Sequence, residues 1–301
     1  MANLSIWLKE LRLPFLVVTL SAVFIGLAMV WGTYHIFNLF YAVLTVIGAC
    51  CLHLTVNVLN DYFDYKTGID LKTIPTPFSG GSTLLVKKLL TPASVYRAGL
   101  SFLAIATLIG IYFTIVIGWP ILVLLIVGAF SAYFYSHKIS FWGIGEIFVG
   151  LNFGPLMVLG TFYVQTRILA WQPFYIGLIP GLLTAAVLYI NEFPDLFADV
   201  SGGRYHIPAR LGKKRAVNGY IAIIIAVYAL LILGVAFRLM PLSCLIGLVS
   251  LPIAVKAMRI AKKNYNKIAE LIPAMASTIL VNATTGFLIA TAYIIYGAFG
   301  I

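Results

Sequence analysis

The sequence predicts an all-α fold, a multi-pass membrane protein whose nine transmembrane helices form a bundle around a central cavity. Hydrophobic residues make up 62% of the 301 residues and charged residues only 10%. One soluble core cannot bury that much apolar side chain, so lipid must be the solvent for most of the chain. The apolar residues also run continuously, as in residues 221–227, and do not alternate as the short strands of a membrane barrel do.

Nine stretches are long enough, at roughly 20 apolar residues, to cross a bilayer as helices. They lie at about 13–31, 38–59, 93–117, 119–135, 142–164, 173–190, 216–237, 239–258 and 273–299. The first follows Lys9 and Arg12 as a secretory signal would, but it is long and no clear small-residue cleavage site follows, so we expect it to be retained. Short connections favour adjacent antiparallel helices, whereas residues 60–92 and 191–215 form two long polar loops.

The basic residues predict how the bundle is oriented. All but Arg167 and Arg238 of the twenty lysines and arginines precede the first stretch or flank the loops after the second, fourth, sixth and eighth. By the positive-inside rule, the N-terminus and those loops face the cytoplasm of a cell-membrane protein, and nine spans place the C-terminus outside. The same distribution argues against nucleic acid as a partner for the net charge of +11 and in favour of the lipid bilayer.

Six of the nine carboxylates fall in two short clusters, each directly after an apolar stretch. The first is Asn60-Asp61-Tyr62-Phe63-Asp64 with Asp70, and the second is Asn191-Glu192-Phe193-Pro194-Asp195 with Asp199. An acidic side chain in a bilayer costs roughly 2.5 to 3.5 kcal/mol on insertion scales, so it is retained where water, a metal or a partner charge offsets the cost. Two such clusters in one chain indicate a polyvalent cation.

The clusters also indicate a duplicated module. Asn60 and Asn191 are 131 residues apart, as are Asp64 and Asp195 (191 − 60 and 195 − 64). Four helices separate the clusters and return the second to the side of the membrane where the first lies, so both can face one cavity. The two four-helix halves would cover about 13–135 and 142–258, with one additional helix at about 273–299, in a single domain of residues 1–301.

The residue types favour magnesium and a diphosphate. Residues four apart lie on one helix face, so Asn60 and Asp64 project together, as do Asp195 and Asp199. Oxygen ligands without nearby histidine or cysteine favour a hard cation, and Mg²⁺ commonly bridges carboxylates to substrate phosphates. Aliphatic and aromatic helix walls would hold a long hydrophobic tail. The basic residues expected to contact phosphate are Arg12, Lys66, Lys72, Lys138, Arg204 and Arg210.

Several strings resemble those of a known family. N-D-Y-F-D-Y-K-T-G-I-D from Asn60, and N-E-F-P-D-L-F-A-D from Asn191 with R-L-G at Arg210, resemble the motifs of the UbiA superfamily of intramembrane aromatic prenyltransferases. P-F-S-G-G-S from Pro77 and the segment from Gly143 to Thr166 are similar to its menaquinone branch, the 1,4-dihydroxy-2-naphthoate polyprenyltransferases. The resemblance covers nearly the whole chain.

The resemblance implies nine helices around a cavity, an isoprenyl diphosphate and an aromatic acceptor as substrates, and Mg²⁺ held by both motifs. Matched by motif, Asn60, Asp61 and Asp64 correspond to the first family motif, and Asn191, Asp195 and Asp199 to the second. The expected metal ligands are Asp61, Asp64, Asp70, Asp195 and Asp199, with Asn60 and Asn191 as substrate-binding residues; Asp70 lies two residues beyond the family position, so the third ligand of the first motif stays open. Two positions depart from the family pattern. Gly68 stands where a further aspartate is common, and Arg204 replaces a lysine, so that phosphate would be bound in a different geometry.

Ionisation of an allylic C–O bond is the demanding step of prenyl transfer. Mg²⁺ and basic side chains neutralise the charge that develops on the departing diphosphate, while aromatic rings stabilise the allylic cation and shield it from water. We expect Asp64 and Asp195 to be the catalytic carboxylates and Tyr135 to be such a ring. Either Asp64 or the released diphosphate could remove the proton from the acceptor, and the sequence does not choose between them.

Two other functions stay open at this point. A glycerol-based lipid could replace the aromatic acceptor, and the sequence resolves neither the acceptor, the tail length nor the oligomeric state. A cation-coupled transporter also combines repeated halves with intramembrane acids. A carrier, however, needs its polar site near the bilayer midplane with access from both sides, whereas these clusters lie at one surface. Prenyl transfer is therefore the favoured interpretation.

Overall fold

The computed structural model describes residues 4–300, and every regular element in that part of the chain is helical. The helices are α1 (Leu4–Leu11), α2 (Leu16–Tyr34), α3 (Leu39–Thr67), α4 (Pro92–Val116), α5 (Pro120–Phe134), α6 (Gly145–Leu151), α7 (Met157–Thr166), α8 (Trp171–Ser201), α9 (Ile207–Leu211), α10 (Lys213–Ala236), α11 (Leu251–Asn264) and α12 (Ile268–Phe299). Joining them are the 3₁₀ turns Leu13–Phe15, Ile139–Trp142 and Leu242–Ser250 and the π turn Asn152–Leu156.

Nine apolar helical segments account for the nine predicted spans. Between residues 4 and 300, eight are long and apolar enough to cross a membrane, and the ninth is α5, a shorter apolar helix. Three of the eight are interrupted: α1 joins α2, α6 joins α7, and a 3₁₀ turn precedes α11. The predicted all-α, multi-pass fold is confirmed.

Two helices run further than their apolar stretches. The sequence places the ends of the second and sixth helices at about 59 and 190, but α3 continues to Thr67 and α8 to Ser201. The apolar stretch ends where the helix leaves the lipid. The backbone hydrogen bonds of the helix continue through the polar residues that face the cavity. Most of each acidic cluster therefore lies on the last turns of a helix, and both polar loops are shorter than predicted.

Helix α8 runs through the middle of the bundle, where it packs against α2, α10 and α12. Leu183, Ala186 and Ile190 on this helix have no exposed surface. Their burial fixes the helix that carries the second acidic motif, because well-packed interiors tolerate little displacement.

A close backbone contact sets α6 against α8. The π turn Asn152–Leu156 contains Pro155, which has no N–H to donate, and the helix widens there. Gly154 in this turn lies so close to α8 that a Cβ atom would overlap the carbonyl oxygen of Gly177. The contact places α6, with Glu146 at its start, beside the second acidic motif.

Gly154→Ala is expected to lower the thermal stability, because the added methyl group would force the π turn away from α8. Overpacking of this kind typically costs about 1–3 kcal/mol. Thermal unfolding of the purified protein in detergent measures the effect. Gly128→Ala is the matched control, since its Cβ would meet the end of the Leu52 side chain at 3.3 Å. Equal losses in the two variants would contradict a special contact at Gly154.

Candidate active site

The two acidic motifs face one polar cavity. The last turns of α3 and α8 form two of its walls, and part of the loop of residues 68–91, here called the covering loop, closes over it. The structure brings nine of the predicted site residues to the wall of this cavity: Arg12, Asn60, Asp64, Asp70, Tyr135, Asn191, Asp195, Asp199 and Arg204.

The first motif uses its two aspartates on α3 differently. Asn60 Nδ2 donates to Asp64 Oδ2 at 2.9 Å, one helical turn away, and holds that carboxylate at the cavity. Asp61 instead accepts from the backbone N–H of Ser82 at 2.8 Å and contacts the guanidinium of Arg12. Asp61 therefore ties the covering loop and the N-terminal segment to α3.

Asp70 joins the same cluster although it lies beyond the end of α3. A Cβ atom on Gly81 would lie 3.2–3.4 Å from carboxylate oxygens of both Asp61 and Asp70, so the two carboxylates converge beside this glycine. Gly81 also has a φ of +68°, which favours glycine. Burial, followed by the charge of Asp64, raises the pKa of Asp70 to about 7, as expected where carboxylates crowd together.

Arg204 connects the two motifs. Its Nη1 donates to Asp64 Oδ2 at 3.0 Å and to Asp199 Oδ1 at 3.1 Å, while its Nη2 contacts Asp64 Oδ1 and donates to the carbonyl oxygen of Ser136 at 3.1 Å. Only 8% of the residue is exposed. Burial alone would lower the pKa of Arg204, but Asp64 and Asp199 raise it above its ordinary value, so the guanidinium stays charged.

Asp195 of the second motif faces the covering loop. Its Oδ2 accepts from the backbone N–H of Gly80 at 3.2 Å, and its Oδ1 is buried without a hydrogen-bond partner among residues 4–300. Gly80 has a φ of +81°, a left-handed conformation that glycine adopts freely. The covering loop thus contacts the second motif through Gly80 and the first through Ser82.

These side chains fit a hard divalent cation. Carboxylates from both motifs reach one cavity, and two guanidinium groups, from Arg12 and Arg204, supply positive charge beside them. The unpartnered Oδ1 of Asp195 is a free ligand position. An all-oxygen donor set of carboxylates is what Mg²⁺ prefers in proteins.

A family model covers most of the chain: residues 19–279 match the UbiA prenyltransferase family. The chain belongs to this family. It is 30% identical over 221 residues, 72% of each chain, to the 1,4-dihydroxy-2-naphthoate octaprenyltransferase of Mycobacterium leprae. The predicted membership and the similarity to the menaquinone branch are confirmed, and the protein is an enzyme, a prenyltransferase.

Solved UbiA homologues share the fold. The apo structure of a homologue from Aeropyrum pernix K1 matches with a TM-score of 0.70 at 18% identity, over 91% of this chain and 97% of that one. A homologue from Archaeoglobus fulgidus, solved with GPP and Mg²⁺, matches with a TM-score of 0.57 at 17% identity, over 94% of this chain and 99% of that one.

A second, mostly apolar cavity adjoins the polar cavity of this UbiA prenyltransferase. It lies between α3, α4, α5 and the α6–α7 span and extends as far as Leu44 and Phe113. The two cavities share a wall, and Tyr135 lies where they meet. The residues that line both are His53, Val56, Tyr135, Val149 and Phe153.

Four predicted phosphate-binding residues lie away from the cavity wall. Lys66, Lys72, Lys138 and Arg210 are exposed. The ammonium group of Lys66 lies 5.9 Å from the centroid of the Tyr62 ring. Arg210 donates to the carbonyl oxygens of Tyr205 and Trp142, each at 2.8 Å. Contacts between these four side chains and phosphate stay a prediction.

The structure adds two acidic residues that are not among the predicted site residues. Glu192 lines the polar cavity, with its Oε2 3.6 Å from Nδ1 of His206. Glu10, fully buried on α1, accepts from the hydroxyl of Ser82 at 2.6 Å and so holds the covering loop. The position of Glu192 between Asn191 and Asp195 was an available signal, whereas the contact of Glu10 with a loop 72 residues away was not.

Proposed function

We propose that this prenyltransferase transfers an isoprenyl chain from an isoprenyl diphosphate to a dihydroxynaphthoate-type aromatic acceptor. The observation that carries the proposal is the pair of adjoining cavities: acidic motifs surround one, and apolar side chains line the other. A substrate with a charged head and a long apolar tail fits both at once. The naphthoate octaprenyltransferase relative and the homologue solved with GPP and Mg²⁺ support this function.

The diphosphate would lie between the two motifs. Mg²⁺, when bound, supplies a Lewis acid that neutralises the charge developing on the leaving group. Arg204 and Arg12 already lie among the carboxylates, and an arginine fork binds phosphate oxygens in pairs. The residues that would hold the ion are Asp64, Asp70, Asp195 and Asp199, supported by Asp61, and those that would bind the diphosphate also include Asn60 and Asn191.

The isoprenyl tail would follow α3 through the apolar cavity. Leu44, at one end of that cavity, and Asn60, in the polar cavity, lie on the same helix and are 16 residues apart (60 − 44). At 1.5 Å per residue this separation is about 24 Å, most of the roughly 30 Å hydrocarbon core of a bilayer. A tail of several isoprene units can therefore be held along its length.

The allylic cation would form where the two cavities meet. His53 and Phe153 lie edge to face there, with ring centroids 4.7 Å apart, and His53 Nδ1 is 2.7 Å from the hydroxyl of Thr19, which fixes the imidazole. Tyr135 lines the same junction. These rings would exclude water and present their faces to the cation, so that the aromatic carbon of the acceptor captures it in place of water.

The membrane orientation follows from the same placement. The acidic motifs, the covering loop and α1 lie together at one end of the bundle, where the basic residues concentrate. Since basic segments stay in the cytoplasm, the diphosphate would enter from the cytoplasmic face of the cell membrane and the C-terminus would lie outside.

A product assay tests the function. Purified protein is incubated with Mg²⁺, geranylgeranyl diphosphate and, separately, 1,4-dihydroxy-2-naphthoate, 4-hydroxybenzoate or a glycerol-phosphate acceptor, and the products are identified by mass. We expect a prenylated naphthalene product, which disappears when a chelator removes Mg²⁺ and returns when the ion is restored. A prenylated glycerol product would show a lipid acceptor. No product from any acceptor, with an ion flux in sealed vesicles that depends on Asp64, would show a transporter.

A further inference from the structure

Glu192 is a buried acid at the cavity wall that the proposed diphosphate site does not use. Its side chain keeps 11% of its surface exposed and lines the polar cavity. No hydrogen-bond donor in the described part of the chain reaches its Oε2. A buried carboxylate without a donor is costly, so a partner from the cavity would stabilise it.

Glu146 lies behind Glu192 and adds a second acid to the pair. One oxygen of Glu146 accepts from the backbone N–H of Ile207 at 2.7 Å, and the other is buried without a hydrogen-bond partner in residues 4–300. Ligand atoms of Glu146, Glu192 and His206 all lie within 4.8 Å of one another. One oxygen of each carboxyl group therefore lacks a donor, and the two groups lie close together at this side of the cavity.

The Thr184 side chain of the same wall is already engaged. The Thr184 hydroxyl donates to the carbonyl oxygen of Pro180 at 2.8 Å and accepts from Asn282 Nδ2 at 3.0 Å. Near Glu192, apolar side chains complete the wall: Val149, Phe153 and Leu188 line the same cavity. Around Glu192 the wall therefore combines apolar side chains with a carboxyl oxygen that lacks a donor.

Of the two substrates of the proposed function, the aromatic acceptor is the one with hydrogen-bond donors that match Glu192. An isoprenyl diphosphate has no hydrogen-bond donor to offer Glu192, either in its hydrocarbon tail or in its ionised head. A dihydroxyarene has O–H donors in the ring plane and apolar ring faces. We propose that Glu192, supported by Glu146, binds a ring hydroxyl group of the aromatic acceptor; this assignment rests on the proposed prenyl transfer.

The hydrogen bond would orient the acceptor and activate it. A hydroxyl group that donates to a carboxylate releases electron density into its ring, which makes the ring carbon a better nucleophile toward an allylic cation. A carboxylate on the acceptor offers no donor to Glu192 and would point away from it. A site built to bind a hydroxyl group also discriminates strongly against an analogue without one.

Kinetic and binding measurements on a Glu192 variant separate the effect on the acceptor from the effect on the diphosphate. We expect Glu192→Gln to lower kcat/KM for 1,4-dihydroxy-2-naphthoate by about 10- to 100-fold, the usual effect of a hydrogen bond to a charged group, while the Mg²⁺-dependent affinity for an unreactive geranylgeranyl thiodiphosphate stays within about twofold. Glu146→Gln should show a smaller loss of the same kind. Glu270→Gln is the matched control, because Glu270 is exposed and pairs with Lys267.

A substrate analogue makes the test independent of folding. With the wild-type enzyme, blocking the acceptor hydroxyl groups one at a time as methyl ethers should identify one whose loss lowers kcat/KM by a similar factor, and Glu192→Gln should not lower the rate with that ether further. Equal rates with the parent compound and both ethers, an unchanged kcat/KM in Glu192→Gln, or an equal loss of thiodiphosphate affinity would overturn the proposal. Failure of prenyl transfer altogether would appear instead as no naphthalene product from the wild-type enzyme.

Discussion

Asp64→Asn is expected to lower prenyl transfer by at least about 100-fold while the protein remains folded in the membrane. Asp64, in the first motif, accepts a hydrogen bond from Asn60 of the same motif and pairs with Arg204. Removing its charge weakens both the hold on Mg²⁺ and the electrostatic stabilisation of the leaving diphosphate, and the loss of a single preorganised group of this type commonly costs about 10²–10³ in kcat.

Turnover with saturating Mg²⁺ and isoprenyl diphosphate measures this loss, and gel filtration with thermal unfolding shows whether the variant is folded. Asp195→Asn, the equivalent change in the second motif, should lose activity to a similar extent. Glu270 gives the control, since Glu270→Gln neutralises an exposed acid that does not line the cavity and should leave turnover unchanged. Near-normal turnover of either aspartate variant would contradict the assigned site.

Arg204→Gln is expected to have two separate effects. Without substrate, the carboxylates of Asp64 and Asp199 lose their shared counter-charge, and breaking a buried ion pair in this way costs about 3–5 kcal/mol. With substrate, the enzyme loses a guanidinium that would contact phosphate, so we expect a higher KM for the isoprenyl diphosphate and a lower kcat. Thermal unfolding and steady-state kinetics measure the two effects.

Adding Mg²⁺ shows whether Arg204 acts as a counter-charge to the carboxylates or has a purely structural role. Added Mg²⁺ should restore most of the stability that Arg204→Gln loses, because the ion can replace the missing charge between the carboxylates. Arg204→Lys keeps the charge without the planar fork, so it should retain more stability than Arg204→Gln but only part of the activity. Stability losses that Mg²⁺ does not reverse, or full activity in Arg204→Gln, would contradict this role.

Sequence patterns predicted the spans and the motifs well because both depend on local chemistry. Lipid requires about 20 apolar residues per crossing, so the number of helices could be counted. The i, i+4 spacing of Asn60 and Asp64 required only helix geometry, and their hydrogen bond follows from it. The extension of α3 to Thr67 was less predictable, because the cavity that solvates the motif belongs to the tertiary structure.

Contacts between distant segments could not be predicted from a single sequence. The convergence of Asp70 with Asp61 depends on how the covering loop folds back through Gly81. The connection from Asp64 to Asp199 depends on the conformation of Arg204, 140 residues along the chain from Asp64. The proximity of Glu146 to Glu192 depends on the close approach of α6 to α8, which glycines allow but do not specify.

The measurement that tests the central claim most directly is the Mg²⁺-dependent binding of geranylgeranyl thiodiphosphate to the wild type, Asp64→Asn, Asp195→Asn and the double variant. If one metal-bound diphosphate lies between both motifs, each single change should abolish most of the binding, and the double change should cost much less than the sum of the two, because coupled residues are not additive. Full affinity in either single variant, or strictly additive losses, would show that the motifs do not share one ligand.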